Sequence, residues 1–151
     1  MTTAVGEHAP DFVLPSFSGG NIALSALLAN GPVVLFFYPK DDTPGCTAEA
    51  CAFRDSHDEF VRAGAQVVGI SSDSIASHDR FASKHKLPMV LLSDEDGKVR
   101  ALYGVSRTLG LFPGRATFVI DRGGIVRYVI ESQLRFEAHS REALSAVKQI
   151  R

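Results

Sequence analysis

The sequence predicts an α/β protein built on a mixed sheet flanked by helices. Three observations carry that prediction. PVVLFFYP (32–39) and QVVGIS (66–71) are short apolar runs rich in β-branched and aromatic residues, the composition of strands buried on both faces. Each is followed by a segment whose apolar residues keep helical spacing. Near the end, RATFVIDRGGIVRYVIE (115–131) reads as a hairpin around the turn Asp121-Arg122-Gly123-Gly124. Strands alternating with helices, then a late hairpin, give a sheet with parallel and antiparallel members.

The elements follow in order. DFVLPSFSGGNIAL (11–24) reads as two short extended pieces about Ser18-Gly19-Gly20, with Pro15 marking an edge. Ser25–Ala29 fits one helical turn, closed by Asn30-Gly31. After the first buried strand, Thr43-Pro44 opens a helix with proline at its first position. Ala50, Phe53, Phe60 and Val61 carry that helix to Gly64, a fitting stop. The second strand leads into a helix over SIASHDRFASKHK (74–86), halted before Pro88. MVLLS (89–93) is a third strand, Lys98–Tyr103 a short helix before Gly104, and Glu137–Ile150 a closing helix. Nothing reads as a linker, so residues 1–151 are expected to form a single domain.

Composition narrows the function classes. The chain has 151 residues, a formal net charge of -1 and 45% hydrophobic residues. That balance gives no pull toward nucleic acid or anionic lipid. The longest apolar run, Val33–Tyr38, is far too short to span a membrane. MTTAVGEHAPDF lacks a basic segment followed by an apolar one, so a cytoplasmic location is expected. There, two cysteines are reactive or metal-bound more often than a permanent staple. Neither a Walker loop nor a dinucleotide fingerprint occurs, and no cofactor is expected.

Both cysteines lie in YPKDDTPGCTAEAC (38–51), five positions apart. Thr43 falls at the N-cap of the predicted helix and Cys46 at its third position. There the sulfur meets the positive end of the helix dipole and unsatisfied backbone N–H groups, which favour thiolate over thiol. The helix also follows the C-terminal end of a buried strand, where open α/β sheets place their sites. The alternative is a small buried cysteine at a helix start. Five residues along a helix rise about 7.5 Å and place the Cα atoms of Cys46 and Cys51 roughly 8–9 Å apart on different faces. A disulfide needs about 4.4–6.8 Å. A bond between them therefore requires the helix to unwind. The competing reading makes Cys51 a core residue beside Ala50 and Phe53.

YPKDDTPGCTAEAC followed by FRD resembles the peroxiredoxins, most nearly their Q-type (bacterioferritin comigratory protein) branch. The family pattern P-x-x-x-T/S-x-x-C is present as Pro39, Thr43 and Cys46. Cys51 matches the resolving cysteine that Q-type members often carry five residues on. RATFVID matches the strand that begins with the family's active-site arginine, here Arg115. Glu49 matches a glutamate that braces the arginine in many members. The likeness extends from APDFVLP through LLSDEDG to the last helix. It departs at VSRTLGLFPGRATF (105–118), where the G-K-x-Y-x-G-x-x-R stretch of many Q-type members is not reproduced. The resemblance implies a thioredoxin-like fold with an N-terminal β-hairpin extension.

It also implies roles. Cys46 would attack a hydroperoxide and become sulfenic acid, and Cys51 would condense with it. Thr43 would donate to the sulfur and accept from the peroxide. Arg115 would stabilise thiolate and leaving oxygen, with backbone N–H groups of Gly45 and Cys46 as further donors and Pro39 shielding the pocket. A thioredoxin-like protein would be the reductant, and the chain a monomer or weak homodimer. Lys40, Asp41 and Asp42 read as solvated loop charges, His78 and His85 as an exposed pair on one helix face, and Arg54 and Asp55 as helix-surface or supporting groups. Two other functions compete. One is a copper carrier using both thiols and a histidine such as His139, although C-x-x-x-C would be the expected spacing. The other is a general disulfide oxidoreductase, which lacks its C-x-x-C.

Overall fold

The computed structural model describes residues 3–105, 114–132 and 135–150. The divergent segment noted above lies largely outside them. Two antiparallel strands, β1 (Val13–Pro15) and β2 (Asn21–Ala23), form the N-terminal hairpin, followed by α1 (Leu24–Leu28). The central sheet holds β3 (Val33–Phe37), β4 (Gln66–Ser71), β5 (Val90–Ser93), β6 (Ala116–Ile120) and β7 (Val126–Glu131) in the order β5-β4-β3-β6-β7. β3 runs parallel to β4, which runs parallel to β5; β6 is antiparallel to both β3 and β7. The hairpin extension is tied to the sheet through the bridges Ser16–Leu92 and His8–Ile125.

β3 shows why its sequence is apolar throughout. Alternate side chains of a strand leave opposite faces. Val34, Phe36 and Tyr38 enter one buried cluster, with residues of α2 (Pro44–Asp55), α3 (His57–Arg62), α4 (Ile75–His85) and α6 (Phe136–Gln149). Val33, Leu35 and Phe37 enter the other, with Phe12, Leu24, and Val99 and Tyr103 of α5 (Lys98–Tyr103). Phe36 stacks on Phe53 at 4.4 Å between ring centroids. That ring has room because β4 carries Gly69, where a Cβ would stand 2.7 Å from Phe36 Cζ.

The helix expected from Thr43 to Gly64 is two helices. Ser56, with φ -98° and ψ 5°, separates α2 from α3. The apolar spacing survives the break because Phe53 and Phe60 both reach the same cluster, so periodicity alone did not reveal it. The closing helix starts at Phe136, one residue earlier than expected. Among the described residues no helix is long and apolar enough to cross a membrane.

Candidate active site

The loop from Tyr38 delivers the chain to α2, and α2 delivers Cys46. Thr43 is the N-cap, in extended conformation, and Pro44 opens the helix. The first i→i−4 bond is from Thr47 N to Thr43 O, 2.8 Å. This leaves the N–H groups of Gly45 and Cys46 without intrahelical acceptors. The Thr43 hydroxyl makes no capping bond and donates to Lys40 O at 3.2 Å instead. Its proton is thus committed to the loop and not to the sulfur. Pro39 is half-buried beside it.

Cys46 is 1% exposed, and its Sγ accepts from Arg115 Nη2 at 3.4 Å. Arg115 Nη1 donates to Glu49 Oε1 at 2.6 Å. α2 thus presents Cys46 and Glu49, three residues apart on one face, to the two ends of one guanidinium from the start of β6. The Phe136 ring lies over that guanidinium, 4.9 Å from Cζ to the ring centroid. The same ring explains Gly45: a Cβ there would stand 2.6 Å from Phe136 Cε1.

Behind Arg115 lies a polar group that sequence reading missed. Glu49 Oε2 is buried without a hydrogen-bond partner among the described residues, 3.4 Å from His139 Nδ1. His139 Nδ1 is 2.7 Å from Thr117 Oγ1, and Nε2 donates to Ser132 O at 2.9 Å. Burial pushes the Glu49 carboxyl up to about 8 against the opposing pull of Arg115. Burial also lowers His139 below its ordinary range. Thr117 in an apolar strand and His139 in an amphipathic helix were visible as polar residues at core-facing positions. Nothing in their spacing said that they meet.

Cys51 is half-buried and lines a surface cavity with Asp55, Ser56, Ser140 and Arg141, between α2 and α6. Both cysteines are free, on one unbroken helix. His139 has both ring nitrogens occupied by Thr117 and Ser132. Held so, it is not available as the third ligand of a copper site with the two thiols.

Two further expectations are corrected. Asp41 is no solvated loop charge: it is 6% exposed, receives Tyr38 Oη at 2.6 Å and Ser77 Oγ at 2.8 Å, and meets His78 Nδ1 at 2.7 Å. His78 is fully buried, not exposed. It does share a face with His85, and the two reach adjacent carboxylates, His85 Nε2 lying 3.3 Å from Asp42 Oδ1. Arg100, within the short α5, is buried and donates to Tyr38 O (2.9 Å) and Gly114 O (2.6 Å). It thereby clamps the residues before Pro39 to those before Arg115. Arg54, for its part, pairs with Asp55 at 3.0 Å and donates to His85 O, away from the sulfur.

Residues 5–129 match the model of the AhpC/TSA family. Chloroplastic peroxiredoxin Q of Oryza sativa subsp. japonica is 48% identical over 146 residues, covering 96% of this chain and 67% of the relative. The crystal structure of peroxidoxin BcpB from Mycobacterium tuberculosis superposes with a TM-score of 0.90 at 45% identity, covering 97% of each chain. The bacterioferritin comigratory protein of Xanthomonas campestris, studied for its alkyl peroxide reduction activity, gives 0.84 at 32% identity, over 92% of this chain and 91% of that one. The five-stranded mixed sheet flanked by helices is therefore the thioredoxin-like fold expected. The cytoplasmic expectation is overturned: the plant relatives are named chloroplastic. A stretch such as MTTAVGEHAPDF carries no compartment information by itself. With a family match over most of its length and these relatives, the chain belongs to the AhpC/TSA family as a Q-type peroxiredoxin, a thiol-dependent peroxidase.

Proposed function

We propose that Cys46 is the sulfur that attacks the hydroperoxide and Cys51 the one that resolves it, in a single domain spanning residues 1–151. The observation that carries this reading is the contact of Arg115 Nη2 with Cys46 Sγ at 3.4 Å, inside a buried niche at a helix start. A buried guanidinium beside a sulfur stabilises the thiolate and then the charge on the departing oxygen. Glu49 and Phe136 fix the guanidinium from two sides, leaving Nη2 for the sulfur. Gly45 and Cys46 contribute backbone donors, Pro39 shields the sulfur from water, and Thr43 offers lone pairs to the peroxide hydroxyl.

The attack forms an S–O bond and breaks the O–O bond, leaving sulfenic acid on Cys46 and an alcohol or water. Cys51 then displaces hydroxide, released as water, to give an intrachain disulfide. Because both cysteines sit on one continuous helix, that step requires the first turns of α2 to open. Opening brings the disulfide within reach of a reductant. The alkyl peroxide activity named for the Xanthomonas campestris protein favours organic hydroperoxides beside hydrogen peroxide. A thioredoxin-like thiol protein is the reductant proposed; nucleic acid and membrane are not partners in this reading, and the chain acts as a monomer or weak homodimer.

Intact mass after one equivalent of peroxide tests both assignments. The unsubstituted chain should lose two hydrogens, Cys51→Ser should gain one oxygen, and Cys46→Ser should do neither and lose peroxidase activity. Turnover retained by Cys46→Ser would remove the assignment.

A further inference from the structure

Among the described residues, the niche around Arg115 holds one guanidinium and two groups able to be anions: Cys46 as thiolate, on Nη2, and Glu49 as carboxylate, on Nη1. Both are fully buried. One positive charge balances one of them. With both ionised the niche would carry a net negative charge away from water, the arrangement that buried sites avoid by taking up a proton.

The geometry shows where such a proton resides. His139 Nε2 faces the carbonyl of Ser132 and must donate, so in the neutral ring Nδ1 is the acceptor. Nδ1 lies 2.7 Å from Thr117 Oγ1 and 3.4 Å from Glu49 Oε2. Oε2 is a buried oxygen with no donor on it among the described residues. The Nδ1 lone pair is taken by the Thr117 hydroxyl, so the ring offers Oε2 no N–H. A buried carboxylate whose second oxygen is left bare is costly, and a proton on it removes that charge. The other groups facing this pair are Arg115 from β6 and, on α6 itself, Arg135 and Glu142. The upward displacement of the Glu49 carboxyl agrees with a protonated form near neutral pH.

We infer that Glu49, its bare oxygen 3.4 Å from His139 Nδ1, holds one proton while Cys46 is a thiolate and releases it when that sulfur becomes sulfenic acid, so that the reaction as a whole draws almost no net proton from solvent. This rests on the assignment of Cys46 as the peroxide-reacting sulfur. In balance, Cys46 S⁻, ROOH and the Glu49 proton give Cys46 SOH, ROH and the Glu49 carboxylate. The S–O bond forms and the O–O bond breaks; sulfur is oxidised by two electrons and the peroxide reduced by two. The Arg115 cation, relieved of the thiolate, then pairs with the carboxylate. Glu49 touches neither peroxide nor sulfur and acts through Arg115 as a positioning and proton-holding residue.

The test counts protons. Single turnovers are run at neutral pH in weakly buffered solution with an indicator dye, in a Cys51→Ser background so that the reaction stops at sulfenic acid, which mass spectrometry counts. With Glu49 present, formation of each sulfenic acid should draw almost no proton from solvent. In Glu49→Gln, which mimics the protonated acid but cannot release its proton, each should draw about one. Equal uptake in the two chains overturns the proposal. If Cys51→Ser forms no sulfenic acid at all, the assignment of Cys46 fails, and the proposal with it. A second measurement needs no substituted chain to fold: infrared difference spectra of the native protein should show a protonated carboxyl band in the reduced state that disappears on oxidation. His139→Asn should shift that band. A band absent from the reduced protein, or indifferent to oxidation or to His139, overturns the inference.

Discussion

At the scale of single residues, the site depends on a side chain that is missing. Gly45 lies in the first turn of α2 at an ordinary helical φ, so its backbone would accept alanine. Its neighbour would not, since a Cβ would stand 2.6 Å from Phe136 Cε1 and 2.7 Å from Cζ. The ring must shift, and the ring is what covers Arg115. Cation–π contacts are worth about 0.5–2 kcal/mol. Gly45→Ala is therefore expected to lower the second-order rate constant with peroxide about tenfold, the equivalent of about 1.4 kcal/mol. Stopped-flow peroxide consumption checks this, and Gly45→Ala combined with Phe136→Leu should recover part of the loss by relieving the clash. A rate unchanged in Gly45→Ala would mean that the ring does not hold the guanidinium. Sequence spacing identified Gly45 as a donor of a backbone N–H. It gave no sign of Phe136, because the two are 91 residues apart and meet only when α6 packs on α2.

Among the elements, the loop between β3 and α2 is where sequence and structure part. The strands were readable because β3, β4 and β6 are buried on both faces, and continuous apolar runs mean little else. Cys46 was readable from its place at the start of a helix that follows such a strand, whereas Arg115 was reached only through the resemblance of RATFVID to the peroxiredoxin strand. The charges of Lys40-Asp41-Asp42 were misleading. A run of charges before a helix is usually solvated, yet Asp41 turns inward to Tyr38, Ser77 and His78. Its partner on α4 is 37 residues away, a pairing that no local pattern encodes. The loop is thereby moored to α4 on one side, and through Arg100 to α5 on the other. Removing one partner of a buried charged contact costs about 3–5 kcal/mol. His78→Leu should destabilise the fold by that amount in urea titrations. Asp41→Asn with His78→Leu should cost clearly less than the two single changes added together, as expected for groups in direct contact. Additive losses would show that the two side chains do not depend on one another.

For the whole molecule, the buried titrating groups predict how stability changes with pH. Glu49 is raised from 4.5 to about 8, chiefly by burial. The folded chain therefore keeps that proton over a range where the unfolded chain has lost it. Stability from this group is fully present below about pH 4.5 and falls as pH rises through about 8. His139 works the other way. Burial lowers it from 6.5, so the unfolded chain binds the extra proton, and stability rises with pH until about 6.5. Asp42, lowered from 3.8 by His85 and Lys84, acts only in acid. Tyr38, Tyr103 and Tyr128 are raised from 10.0 and act only in strong alkali. Between pH 6.5 and 8 Glu49 is thus the one of these groups in its own range, and one proton corresponds to about 1.4 kcal/mol per pH unit. Urea unfolding of the reduced chain should lose about 2 kcal/mol across that interval. Glu49→Gln has nothing to titrate there, and the difference in slope between the two chains isolates the carboxyl from all else. Parallel slopes would mean that Glu49 is ionised throughout the interval, with Arg115 outweighing its burial.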